Sequence, residues 1–260
     1  MIGAKADRVE SRDGGGVLGP IARDSLQERV YRRLRRSLIH GEFDAGQVLR
    51  IQDLADTLQT STMPVREALA RLVSEQALES LPSRSVRVPL IEVARLDDLA
   101  RARSLVEGEL VRLATDRLKG SGCAHLHALT EECEAAFAAG GPEKQQTTSE
   151  LNHAFHFAIY GAARSPVLLP IVESLWLQSG PYVRAAAGLY DATPAGRAVR
   201  HHRTLIAAMD RGDHAGAVSA LTEDITQSFN LIRTRLVRED AVADGPGAGA
   251  GDVGGGVRDG

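Results

Sequence analysis

The chain has 260 residues, 43% of them hydrophobic but only 4% aromatic, and a formal net charge of −3. That length suits a small domain joined to a medium one, and an aliphatic, aromatic-poor composition favours helices packed through Leu and Ala over an all-β fold. Near-neutral charge excludes a polyanion binder of the whole-chain kind. Cys123 and Cys133 are spaced for neither a zinc knuckle nor a disulfide framework, no apolar run approaches the roughly 20 residues of a membrane span, and the opening MIGAKADRVESRDGGG lacks a signal-peptide core. A cytoplasmic protein without a membrane partner is expected.

Residues 1–20 are polar and Gly-rich, and 241–260 carry most of a terminal run with 8 Gly in its last 16 residues, so both are read as disordered tails. Residues 21–88 hold 11 Arg against 9 acidic residues, whereas 89–240 hold 16 basic against 19 acidic, a weak lean of positive charge toward the N-terminal part.

Leu26, Val30, Leu34 and Leu38 recur every fourth residue, with Arg29, Arg32, Arg33, Arg35 and Arg36 around them, which predicts a basic amphipathic helix ending near His40–Gly41. The turn GEFDAG leads through Leu49 to a short second helix carrying Leu54, Ala55 and Leu58. In Gln59–Pro64 a hydroxyl residue is placed to cap a third helix, with Pro64 in its first turn, and Val65, Ala68, Leu69, Leu72 and Val73 form its packed face. Residues 79–90, ESLPSRSVRVPL, read as a hairpin wing.

This order is that of a winged helix-turn-helix, whose third helix presents its N-terminal residues to the major groove. Thr62 and Arg66 are then placed to read bases, Arg66 by forking onto guanine O6 and N7. Ser61 and the amides of the helix start are placed for phosphate, and Arg84 and Arg87 for phosphate or minor groove. Either arginine alone reads as ordinary surface decoration; the ordered set argues otherwise.

The run Val30–Val88 resembles the DNA-binding domain of the GntR family. The motif residues are Gly41-Glu-Phe-Asp-Ala-Gly46, Leu54-Ala55 and Ser61-Thr-Met-Pro-Val-Arg-Glu-Ala-Leu69. The resemblance implies DNA contacts from Arg35, Gln52, Ser61, Thr62, Pro64, Arg66, Arg84 and Arg87. It departs at Ala45, where relatives have Pro, at Thr62, where they have Arg, and at Arg84-Ser85, where they have Arg-Gly, so operator sequence should differ from that of typical relatives.

Residues 91–240 read as a bundle of six or seven helices, broken around Gly120–Gly122, Gly140–Pro142, Ser165–Pro166, Gly180–Pro181, Thr193–Gly196 and Gly212. Asn152 and His156 lie one turn apart on one helix face, a spacing that lets two side chains share a metal. With His202 and Asp224 they would form an N/O set suited to Zn, Ni or Mn. On spacing alone, a hydrogen-bonded core His156 and a half-exposed His202 is the commoner outcome.

This part is similar to the helical FCD-type ligand-binding domain of the FadR subgroup, where an Asp-x-x-Phe-His stretch and two later His often hold a metal. The matching positions here are Asn152, His156, His202 and Asp224, each replacement keeping a ligating oxygen. The resemblance places Arg103, with Glu107, at an effector cavity; Tyr182 and Arg184, following the Gly180–Pro181 break, are further cavity candidates, equally readable as a packed Tyr and a surface Arg. Beside a metal, a guanidinium would receive a small carboxylate. The expectation is a mainly α, non-enzymatic repressor, homodimeric on palindromic operator DNA and responsive to such an effector. Two alternatives stay open: a metal-dependent hydrolase, for which no general-base motif stands out, and a regulator with a degenerate pocket controlled by a protein partner.

Overall fold

A computed structural model describes residues 26–82, 85–139, 141, 143–189 and 199–243; the side chains at 121, 183, 184, 187–189 and 237–243 fall outside that description. Helix α1, Leu26–Ile39, buries Val30, Leu34 and Leu38 along the face its four-residue period predicts, together with Tyr31. Helices α2, Ile51–Thr57, and α3, Thr62–Ser74, follow. The apolar residues Val65, Ala68, Leu69 and Leu72 of α3 are buried against α1 and α2. Tyr31 donates to the Glu75 carboxylate at 2.8–2.9 Å, while the Arg71 guanidinium stacks 3.6 Å over its ring and reaches Glu28 at 3.0 Å. These contacts lock α1 across α3.

The wing is larger than a hairpin. β2, Glu79–Ser80, and β3, Val86–Arg87, pair antiparallel as expected, but β1, Val48–Leu49, joins them in the order β1-β3-β2. A two-residue strand has no alternation to read, so the sequence pattern passed over it. Its entry depends on Gly46, at φ +79°, whose N–H bonds to the Val88 carbonyl at 3.0 Å; a Cβ there would be strained and would crowd Leu90.

Among the described residues the second domain has six α-helices: α4, Val93–Leu118; α5, Ala124–Ala139, entered through a 3₁₀ turn at Gly120–Cys123; α6, Lys144–Ala162; α7, Leu168–Leu189; α8, Arg200–Asp210; and α9, His214–Ala243. α9 lies along α4 and α8, α5 along α6, and a continuous aliphatic core runs from Leu96 through Phe155, Tyr160 and Trp176 to Ile232. One expected break is absent: Gly180–Pro181 lies inside α7. Proline removes an interior N–H and normally ends or kinks a helix; here burial of Trp176, Leu177 and Tyr182 on both sides of it carries the helix through. Among the described residues no helix is long and apolar enough to cross a membrane. The tail expected at 1–20 falls outside the described residues; the one expected at 241–260 begins inside α9, which continues to Ala243, and its remainder falls outside them.

The two domains meet where α1 abuts α7. Leu177 of α7 belongs to the core of the N-terminal domain, and a Cβ at Gly180 would overlap the Leu38 carbonyl. Around this contact, Arg35 pairs with Glu173 and Arg36 with Glu150, each at 3.3 Å; Ser149 donates to the His40 carbonyl at 3.4 Å, and Arg95 donates to the Gln76 carbonyl at 3.0 Å. The His40 and His153 rings meet edge-on, 5.2 Å apart.

Gly180→Ala should therefore force α1 off α7 and lower stability by roughly 1–3 kcal/mol, as overpacking does; a urea midpoint equal to wild type would count against this contact. The junction should also weaken in acid. Burial holds the His40 imidazole below its ordinary 6.5, with Arg36 acting the same way and Glu150 and Glu42 opposing, and burial holds His153 at about 3. Below pH 6.5 the unfolded chain takes up protons that the folded chain refuses, so stability should fall from pH 7 toward pH 4, and His40→Gln should make that slope shallower. Equal slopes for both proteins would show that the histidine does not titrate this way.

Candidate functional site

The start of α3 is an open surface. Ser61 occupies the N-cap position with extended backbone (φ −76°, ψ 163°), yet its side chain makes no capping bond, contrary to the expected cap. Its hydroxyl and the first amides of α3 are thus left facing outward, as a phosphate site requires. Arg66 is exposed and, among the described residues, forms no hydrogen bond or ion pair, unlike Arg71 one turn and a half further on. Thr62 and Pro64 are half-buried beside it. Met63, 60% exposed, is a large apolar side chain on the same edge that pattern reading missed, because its spacing assigns it to neither face.

Three other expected DNA contacts have partners within the protein in this structure. Arg35 is turned to the second domain by Glu173. Arg87 is held across the sheet by Glu79, with Nη2 2.6 Å from the carboxylate, so it braces the wing. Gln52 bonds Asp56 at 2.9 Å on the exposed side of α2. In each case the partner is an acidic residue whose approach depends on tertiary or cross-strand geometry, or on a turn of helix the motif does not include. Arg84 lies outside the described residues, as does the Arg184 side chain.

In the second domain Asn152, His156, His202 and Asp224 converge from α6, α8 and α9 on one cavity of about 80 Å³, together with Arg103, Tyr182, Thr148, Ser149, Ser228 and Cys133. At about 30 Å³ per water, that space holds two or three waters. His156 Nε2 is 3.1 Å from Asp224 Oδ2, and His202 Nε2 is 3.1 Å from Asn152 Oδ1. One ligand atom from each of His156, His202 and Asp224 lies within 4.8 Å of the other two. Donors about 2.1 Å from an ion stand about 3.0–3.4 Å apart at octahedral or tetrahedral angles, so both close pairs have the separation of neighbouring ligands.

Protons support the same geometry. The Tyr160 hydroxyl donates to Glu107, so its oxygen can accept only from His156 Nδ1, 3.3 Å away. That tautomer leaves the Nε2 lone pair facing a carboxylate, an arrangement that calls for a cation or an added proton between them. His202 is stacked on Phe155 with ring centroids 3.8 Å apart, and burial holds it neutral, down to about 3. Its Nδ1 is buried with no partner among the described residues. Burial alone would raise the Asp224 carboxyl, but a hydrogen bond from His156, made when Nε2 holds that added proton, and the surrounding histidines hold it down at about 2. The site therefore offers a carboxylate oxygen, an amide oxygen and two imidazole nitrogens, which fits a divalent ion.

Arg103 and Glu107 are both buried, with Nε to Oε1 at 2.6 Å and Nη2 to Oε2 at 3.3 Å, and the guanidinium lies 4.3 Å from the Trp176 ring. Arg103 lines the cavity; Glu107 stands behind it. The Nε–Nη2 edge of the fork is already occupied by Glu107, so an anion would meet Nη1. Tyr182 also lines the cavity, its ring parallel to Phe229. Sequence reading missed Tyr160 and Trp176, although Tyr160 follows His156 by one helical turn on the stripe that begins at Asn152. Cys133 is buried on the cavity wall with its thiol pushed up to about 12 by burial, then by Asp224.

Residues 26–88 match the bacterial regulatory proteins of the gntR family, and residues 98–227 match the FCD domain. The HTH-type transcriptional regulator McbR of Escherichia coli K12 is 30% identical over 82% of this chain and 96% of its own length. The HTH-type transcriptional repressor GlaR of the same strain is 32% identical over 56% of this chain and 67% of its own. The solved E. coli McbR/YncC structure has a TM-score of 0.73, covering 82% of this chain and 99% of that one.

Proposed function

Because this chain belongs to the GntR family of bacterial regulators and carries an FCD domain, it is a DNA-binding transcriptional regulator and not an enzyme, and we propose that it is a dimeric repressor whose operator grip is set by a small carboxylate bound beside a divalent metal. The observation that carries the sensing half is the shared cavity: Arg103 and the donors Asn152, His156, His202 and Asp224 line one space. A divalent ion there would supply a Lewis-acidic cation for one carboxylate oxygen. Facing the single negative charge of Asp224, it would also leave the site net positive, since Glu107 already offsets Arg103. Without it the site is net negative and disfavours an anion.

The protein's own groups set the pose. Nη1 of Arg103 meets the far carboxylate oxygen, Glu107 and Trp176 fix the guanidinium, and Tyr160 orients His156. The cavity volume favours an effector of a few heavy atoms. Thr148, Ser149 and Ser228 offer hydroxyls to a polar substituent on it.

On the DNA side, Arg66 and Thr62 read base edges, and the uncapped Ser61 hydroxyl with the α3 amides takes a phosphate. Two such modules of a homodimer address two halves of a palindromic operator, and effector binding shifts the dimer between two arrangements with different operator affinity.

Two experiments test this. Elemental analysis after dialysis without chelator should find near-stoichiometric metal, Zn, Ni or Mn, in wild type and little in His156→Ala; no metal in either would retire the metal reading and favour control by a partner protein. Arg66→Ala should keep wild-type circular dichroism but lose discrimination between duplexes selected by the wild-type protein and random ones, a loss of about 1–3 kcal/mol per half-site. Unchanged footprints would remove α3 from the base-reading role.

A further inference from the structure

Helix α4 leaves one face without a partner among the described residues. Leu105 is 75% exposed, the highest value among the exposed large hydrophobic side chains of the described residues. At 3.6 residues per turn, Asp98, Arg101, Glu109 and Arg112 all lie within about 40° of Leu105 around the helix axis. Asp98, Arg101 and Arg112 are exposed and Glu109 is half-exposed.

The order of charges along this stripe is antisymmetric about Leu105. Rotation by a twofold axis through Leu105 sets residue 105+k of one helix opposite 105−k of the other. Arg101 then faces the partner's Glu109, Asp98 faces the partner's Arg112, and Leu105 meets the partner's Leu105. Every charged contact is attractive. A parallel pairing would set Arg against Arg and Asp against Asp, so the same charges reject it.

We propose that this face of α4 is the seam of the homodimer, formed by a second copy of this chain packed antiparallel about Leu105. The proposal rests on the dimeric reading above and names the surface it uses. Within one protomer the same charges form only short-range pairs, Arg112 to Glu109 at 2.7 Å and Arg101 to Asp98 at 3.7 Å, the latter with both side chains about four-fifths exposed. Such exposed pairs contribute little and are readily exchanged for contacts across a seam that also covers Leu105. The geometry suits the DNA-binding half as well. α4 begins at Val93, directly after the wing, so antiparallel packing about Leu105 sets the two entry points about 36 Å apart along the seam. Successive half-sites of an operator are about 34–36 Å apart.

Sedimentation velocity of the full chain over a range of concentrations tests the seam. Leu105→Glu should be monomeric where wild type is dimeric, with unchanged far-ultraviolet circular dichroism because the side chain is exposed in the protomer. Arg101→Glu should weaken self-association by about tenfold, through two symmetry-related repulsions. Adding Glu109→Arg should restore it to within about threefold. That rescue separates the seam from helix stability, because the double variant breaks both short-range pairs within α4. A dimeric wild type with an equally dimeric Leu105→Glu, or a double variant no tighter than the single one, overturns the seam and leaves the dimer standing. A wild type that is monomeric at every concentration overturns both.

Discussion

Arg103 and Glu107 form an ion pair buried in the second domain, and much of that domain is arranged around keeping them together. Separately either would face a desolvation penalty of several kcal/mol, and removing one partner from such a pair commonly costs about 3–5 kcal/mol. The pair is satisfied on each side: Trp176 covers the guanidinium, and Tyr160 donates to the carboxylate. Because Tyr160 spends its only proton there, the tautomer of His156 follows, and with it the direction of the lone pair that meets Asp224. The charge state of a pair on α4 thereby sets the donor properties of residues on α6 and α9.

Helix α7 connects this network to the DNA-binding half. On consecutive positions, Trp176 faces the cavity and Leu177 enters the core of the DNA-binding domain, while Gly180 lets the backbone of α1 come into contact. A second line runs through His153, whose ring lies 5.4 Å from Trp176 and 5.2 Å from His40 at the end of α1. A displacement of Trp176 by an occupant of the cavity is thus transmitted through close-packed side chains, which have few alternative arrangements. Arg35, one of the expected DNA contacts, and Arg36 beside it form ion pairs at this junction.

The parts legible in the sequence were those carried by period and local motif. The face of α3 follows from the spacing of Val65, Ala68, Leu69 and Leu72, and the donor set follows from Asn152 and His156 one turn apart plus the resemblance that supplied His202 and Asp224. What was not legible depends on residues far apart in the chain. Glu173 and Glu79 redirect Arg35 and Arg87 only once α7 and β2 are in place. Pro181 reads as a stop because local chemistry says so, and only burial on both sides of it keeps α7 whole. A hydroxyl cap within Gln59–Pro64 was expected from residue type, whereas the backbone puts Ser61 at the N-cap position and its hydroxyl makes no capping bond.

Cys133 shares a wall with four oxygen and nitrogen donors, yet burial keeps its sulfur protonated far above neutral pH. A thiol that does not ionise is a poor ligand for thiophilic ions and a slow nucleophile toward electrophiles. With no ion bound, the wall at neutral pH therefore presents oxygen and nitrogen donors beside a thiol that stays protonated and reacts slowly.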